Sequence, residues 1–274
     1  MIDAHHHLWN YNDRDYVWMS AEMGVLRRDY LLPDLETAAA GCGLSGTVVV
    51  QACQRLEETE WLLGLAQPSR LIRGVVGWVP LIEHDVVASI ERFAANPKLR
   101  GLRHILHDEP DDFYMLRPDF LRGVGLLRDF DLAYDILVFE RHLPQTIQFV
   151  DRFPDQVFVL DHIAKPRIRD GELSPWRERI VELARRENVY CKLSGMVTES
   201  AWNGWTPAQL KPYFDTVLQA FGTRRLMFGS DWPVMTLASS YRTWVETVGN
   251  WVLPLSETER VDLWESTAVR AYGL

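Results

Sequence analysis

The stretch "IDAHHHLW", residues 2–9, sets three adjacent histidines inside a run of apolar residues. A tag does not explain it, because Ile2, Ala4, Leu8 and Trp9 flank the run and read as buried β-strand. Side chains alternate along a strand, so Asp3, His5 and His7 share one face while Ile2, Ala4, His6 and Leu8 share the other. Two imidazoles at i and i+2 can chelate one ion from a single strand. Two further groups close later apolar runs: His162 in "VLDHIAKP" and Asp231 in "FGSDWP". Three imidazoles and a carboxylate suit Zn²⁺ or a similar divalent ion. A carboxylate in that company can also take a proton from water.

Such groups meet only if the fold gathers them. Short apolar or β-branched runs at 2–8, 47–52, 72–80, 99–105, 133–139, 157–162, 189–195 and 226–232 suit parallel strands covered on both faces. Between them lie helical patterns over 33–42, 57–67, 84–96, 118–129, 142–153, 176–187, 207–221 and 240–252. Ser256 with Glu259 three residues later forms a capping-box pattern that starts one extra terminal helix. Eight strand–helix alternations over residues 1–274 predict an α/β fold, a single (β/α)8 TIM barrel with an extra C-terminal helix. A doubly wound open sheet would carry a Gly-rich turn after strand 1, where this chain has Trp9, Asn10 and Tyr11. In a barrel the strand ends at the C-terminal face converge on one site. The alternation turns the apolar set of strand 1 toward the helices and points His5 and His7 inward. His6 is then expected to be hydrogen-bonded beneath the helix layer. The long connection over 9–32 lies on the site side and reads as a lid.

Composition bounds the partners. The net charge of -9 argues against a nucleic-acid footprint, and no basic cluster suggests a membrane surface. Three widely spaced cysteines, Cys42, Cys53 and Cys191, fit a reducing compartment. No secretory leader or membrane-spanning run is visible, so the expectation is a cytoplasmic protein acting on a small molecule.

Other residues of the predicted site face carry a functional and a structural reading. Arg103 and His104, near the end of strand 4, are expected to meet a substrate carbonyl or hydroxyls, His104 with a part in the chemistry; the alternative is a structural ion pair. Arg55 after strand 2 and Lys165 just past His162 are candidate substrate ligands, against a solvated charge and a pre-proline turn. Trp9 and Trp232 follow strands 1 and 8 and are expected in the pocket wall, where their faces would stack on a ligand. Gly195 permits a close backbone approach at the end of strand 7.

"DAHHH" in strand 1, "GLRH" in strand 4, "DHIAKP" after strand 6, "KLSG" in strand 7 and "GSDWP" in strand 8 together resemble the amidohydrolase superfamily. The likeness covers almost the whole chain and is nearest to the amidohydrolase 2 group, with sugar-lactone hydrolases of the L-fuconolactonase and L-rhamnonolactonase kind. It implies hydrolysis of a sugar lactone, L-fuconolactone or a similar aldonolactone, with Asp231 and His162 catalytic. It also implies His5, His7, His162 and Asp231 around one divalent metal, zinc by preference, which some members do not need. Decarboxylation of an aromatic or enoic acid and hydrolysis of a dicarboxylate lactone are the alternatives on the same barrel; a non-enzymatic metal or carbohydrate binder is the alternative outside enzymology. Two-metal members bridge their ions near the end of strand 4 with a carbamylated lysine or a carboxylate. Strand 4 has no lysine here, and of the four lysines only Lys165 reads as near the site, so one metal at most is expected.

Overall fold

The computed structural model describes residues 1–274. Eight parallel strands follow one another around a single sheet in chain order. They are β1 (Ile2–His6), β2 (Gly46–Val50), β3 (Ile72–Gly77), β4 (Leu99–Ile105), β5 (Ala133–Leu137), β6 (Phe158–Leu160), β7 (Val189–Leu193) and β8 (Leu226–Phe228). The helices between and after them are α1 (Leu32–Ala38), α2 (Leu56–Ala66), α3 (Val86–Ala94), α4 (Pro118–Gly125), α5 (Leu143–Val150), α6 (Trp176–Leu183), α7 (Pro207–Phe221) and α8 (Tyr241–Val252). This is the (β/α)8 barrel that the alternation predicts. Most helices stop a few residues short of their sequence pattern, because tight turns take up the ends: α4 gives way to a 3₁₀ turn at Leu127–Phe130. No helix is long and apolar enough to cross a membrane.

The ring closes between the last and first strands through backbone that also carries site residues. The Asp231 N–H donates to the His5 carbonyl at 2.8 Å, and the His7 N–H donates to the Trp232 carbonyl at 2.7 Å. Closing the barrel therefore brings residues 5–7 and 231–232 side by side.

Strict alternation fails in β1. Asp3 pairs with Thr47 and His6 with Val49, so three steps on β1 match two on β2. The extra residue is a bulge, which switches the facing of everything after it. Ahead of it, Ile2 and Ala4 pack in the apolar cluster with Val48, Val50, Val76, Val159 and Met227. Asp3 instead accepts a hydrogen bond from the Tyr241 hydroxyl of α8 at 3.0 Å. The expected facing of Ile2, Asp3 and Ala4 is thus reversed, while His5 and His7 turn inward because the bulge restores the phase. His6, expected to be hydrogen-bonded, is fully buried with neither ring nitrogen partnered. Burial, with the neighbouring His7, lowers its pKa to about 3, so it is an uncharged packing group.

The terminal segment is α9 (Glu257–Val261), a π-helical turn at Asp262–Ser266, and α10 (Thr267–Tyr272), where one continuous helix was expected. The capping box forms: the Glu259 N–H donates to Ser256 Oγ, and the Ser256 N–H donates to Glu259. Ala268, Ala271 and Tyr272 of α10 pack on the apolar cluster of the strands. The Tyr272 hydroxyl reaches both carboxylate oxygens of Asp135 at 2.8 Å. α10 therefore plugs the end of the barrel opposite the site.

Candidate active site

A layer of charge lies across the barrel interior just beneath the histidines. Lys192 of β7 is completely buried, with Nζ 2.5 Å from Asp135 of β5 and 3.0 Å from Asp161 after β6. Arg103 of β4 donates to Asp161 at 2.9 Å and also to the Gln51 carbonyl. Two cations and two carboxylates neutralise one another, which is how buried ions become tolerable. Burial alone would raise the Asp161 pKa, but Lys192, His5 and Arg103 outweigh it and hold this carboxyl well below the usual range.

His5 stands on this layer. Its Nδ1 is 3.0 Å from Lys192 Nζ and 3.2 Å from Asp161 Oδ1, and its Nε2 points up toward His7 Nε2 at 3.2 Å. His7 Nδ1 lies 2.8 Å from the Val50 carbonyl, which can only accept, so the proton is on Nδ1 and the Nε2 lone pair faces the site. The Asp231 Oδ1 atom is 3.4 Å from His7 Nε2, 3.8 Å from His5 Nε2 and 3.9 Å from His162 Nε2. His162 Nδ1 is 2.9 Å from the Ser194 hydroxyl. Burial lowers the His5 pKa well below its usual value and that of His162 to about 3, so both rings are neutral.

Strained backbone aims the upper residues. His162, Ile163, Ala164 and Lys165 form a run of left-handed conformations, with φ of 51°, 49°, 62° and 46°. Asp231 is also left-handed at φ 60°. Each such residue costs of order 1–3 kcal/mol. Lys165, expected in an extended pre-proline conformation, belongs to this run instead, and its ammonium pairs with Glu199 at 2.7 Å. Gly195 makes room for His162: at φ 68° a Cβ there would sit 2.7 Å from the His162 Nδ1 atom. Gly195→Ala is accordingly expected to displace the ring, destabilise the fold by about 1–3 kcal/mol and lower turnover. Urea unfolding and kcat measured side by side would check this; wild-type values for both would show that the ring does not depend on the glycine.

Above the cluster is a cavity of about 290 Å³, a size for one small molecule. His7, His162 and Asp231 reach its base, with Arg103 and Lys165 in its wall. Other expected residues lie elsewhere. Trp9 is fully buried, its indole N–H donating to the Arg28 carbonyl at 2.8 Å and its ring packed edge-on to Tyr30. Trp232 also packs edge-on to Tyr30 and lies outside the cavity. Both anchor the 9–31 connection, because large buried aromatics hold a long loop better than they line water. Arg55 faces a separate shallow groove, paired with Asp15 at 2.7 Å and Glu57 at 3.4 Å. His104 is held 2.6 Å from Glu109, takes the Trp78 indole N–H at 3.4 Å and stacks on Tyr114, away from the cavity.

Sequence reasoning missed several neighbours. Lys192, one of the three lysines read as away from the site, touches His5. The signal was available: a lysine inside "VYCKLSG" and carboxylates inside "AYDILVF" and "VLDH" are charges embedded in strands. Trp18, Met23, His107 and Glu199 line the cavity and lie on connections whose paths no periodicity encodes.

The donor set passes a test of fit for a divalent ion. Four ligands about 2.0–2.1 Å from one tetrahedral ion stand roughly 3.3–3.4 Å apart. Four of the separations in this set lie at 3.2, 3.4, 3.8 and 3.9 Å, near that value or a little above it, while His7 stands outside the closest group of three. His5, His162 and Asp231 gather ligand atoms within 4.8 Å of one another. The fixed His7 tautomer turns a lone pair toward a carboxylate and another imidazole, a contact that a proton or a cation must bridge.

The sequence profile described as Amidohydrolase matches residues 2–274. This chain belongs to the amidohydrolase family. It is 42% identical over 284 residues to L-fucono-1,5-lactonase of Burkholderia multivorans, covering 100% of this chain and 96% of that protein. It is 40% identical over 242 residues to L-fucono-1,5-lactonase of Burkholderia ambifaria, covering 88% of this chain and 82% of that protein. The crystal structure of an amidohydrolase from Burkholderia multivorans with bound zinc superposes with a TM-score of 0.95 at 43% identity, covering 100% of this chain and 99% of that one. The amidohydrolase fold and the clustered histidines and aspartate are thus features of this chain.

Proposed function

We propose that this amidohydrolase opens a sugar lactone, L-fuconolactone or a similar aldonolactone, to the aldonic acid. The observation that carries the reading is an ionised carboxylate, Asp231, at the base of a monosaccharide-sized cavity beside three imidazoles and a guanidinium. The two relatives at 40% and 42% identity, both L-fucono-1,5-lactonases, support the choice of substrate.

Asp231 acts as general base. Burial would raise its pKa, but the polar and positive surroundings, the Lys165 ammonium among them, outweigh burial and hold it below the usual carboxylate range, so it is ionised at neutral pH. It takes a proton from water as the water oxygen bonds to the lactone carbonyl carbon. Arg103 Nη1, 3.4 Å from His5 Nε2, brings positive charge to where the tetrahedral oxyanion develops. The ring C–O bond then breaks, and Asp231 returns the proton to the departing alkoxide. Lys165, held by Glu199, binds hydroxyls or the new carboxylate. His5, His7, His162 and Asp231 are the residues that would hold one divalent ion, zinc by preference, and such an ion would supply Lewis acidity toward water and the carbonyl. His104, Arg55, Trp9 and Trp232, outside the cavity, have no part in this scheme.

A pH-indicator screen of aldono-1,4- and 1,5-lactones tests the reading, together with metal analysis of the active protein. The expected result is proton release from an L-configured aldonolactone. Evolution of CO₂ from an aromatic or enoic acid, with no lactone opened, would replace this function with a decarboxylase.

A further inference from the structure

The cavity has two unlike walls. Over β4, β6 and β7 it is polar. His107 pairs with Asp108 at 2.8 Å, Lys165 pairs with Glu199 at 2.7 Å, and Thr198 lies beside them. Over β1 and β8 it is apolar, built from Trp18, Met23, Val234 and Leu237. The 3₁₀ turn at Ala21–Leu26, which carries Met23, packs directly on the turn at Val234–Leu237. All four side chains are only half-buried, so each leaves apolar surface facing the cavity. This wall offers no free donor, because the Trp18 indole N–H is spent on the Ala52 carbonyl at 3.2 Å.

We infer that this apolar wall receives the unhydroxylated end of the substrate, so that the enzyme selects 6-deoxy aldonolactones over their 6-hydroxy counterparts. The inference rests on the lactonase reading above and adds which residues set the preference. Ring hydroxyls need partners, and only the β4–β7 wall supplies them. A ring bound with its hydroxyls there turns its exocyclic carbon toward Met23, Val234 and Leu237. A methyl group loses water against that surface at no cost, whereas a hydroxymethyl must bury an oxygen with nothing to pair it. An apolar pocket rejects an added hydroxyl by only about 10–100-fold, which sets the size of the expected preference.

The test compares L-fucono- and L-galactono-lactones of the same ring size, which differ only in CH₃ against CH₂OH at C6. Wild-type kcat/KM should favour the methyl compound by about tenfold or more. Val234→Thr, isosteric but hydroxylated, and Leu237→Asn should each lower that ratio several-fold or invert it. Glu199→Gln, on the opposite wall, should slow both lactones alike and leave the ratio unchanged. Equal turnover of the two lactones by the wild type would overturn the inference, as would Val234→Thr and Leu237→Asn slowing both equally; either result leaves the lactonase reading intact. Failure of the wild type to open any aldonolactone overturns both. Should Leu237→Asn not fold, the ratio in Val234→Thr decides.

Discussion

Asp231→Asn is expected to leave the barrel folded and to lower kcat on the best lactone by at least about 10²–10⁴-fold, the usual worth of a general base. The amide keeps the shape of the carboxylate and one acceptor oxygen but cannot hold the proton taken from water. KM should change far less, because in the proposed scheme Arg103, Lys165 and the polar wall hold the substrate. The pH profile gives an independent check. With the Asp231 pKa held below the usual carboxylate range, the base is already ionised at mildly acid pH. Activity should therefore persist from neutrality well into the acid and fall only as Asp231 itself protonates. Folded Asp231→Asn protein with near wild-type kcat would remove this residue from the mechanism. His5→Ala separates the metal from the base: if an ion is required, this variant loses metal and rate together, whereas a metal-independent enzyme keeps its activity after chelation.

The largest stability effect is expected at Lys192. Lys192→Met leaves Asp135 and Asp161 buried without their shared cation, and breaking a buried pair in this way costs about 3–5 kcal/mol. For a domain of this size that is roughly 2–4 °C of melting temperature per kcal/mol. The loss should grow as pH rises. Burial already lifts the Asp135 pKa to about 6, and without the ammonium it climbs further. The folded variant then binds protons that the unfolded chain has released, so its stability declines toward alkaline pH. Adding Asp135→Asn removes one unpaired charge and should restore part of the stability. Urea midpoints of the single and double variants at pH 6 and pH 8 measure both statements. A single variant within about 0.5 kcal/mol of wild type would show that this layer is not a tight ion-pair network.

The alternation of apolar runs with helical stripes determined the barrel, because burial on both strand faces writes itself into local composition. The strand-end positions of His5, His7, His162 and Asp231 followed from the same reading, since every βα junction of a barrel opens on one face. The facing of β1 was reached by a period that does not hold there: a bulge between Asp3 and His6 reverses Ile2, Asp3 and Ala4 yet delivers both imidazoles inward. A bulge depends on the partner strand's register, which no single strand records. Lys192 illustrates the other boundary. Its type and strand were legible, but its closeness to His5, 187 positions away, exists only once the ring has closed. The tryptophans were sorted by tertiary structure alone: Trp9 and Trp232 went to the base of the 9–31 connection, and Trp18 and Trp202 to the cavity. Sequence determined which chemistry could assemble at the strand ends. Loop paths, set by many weak contacts between distant segments, decided which side chains surround it.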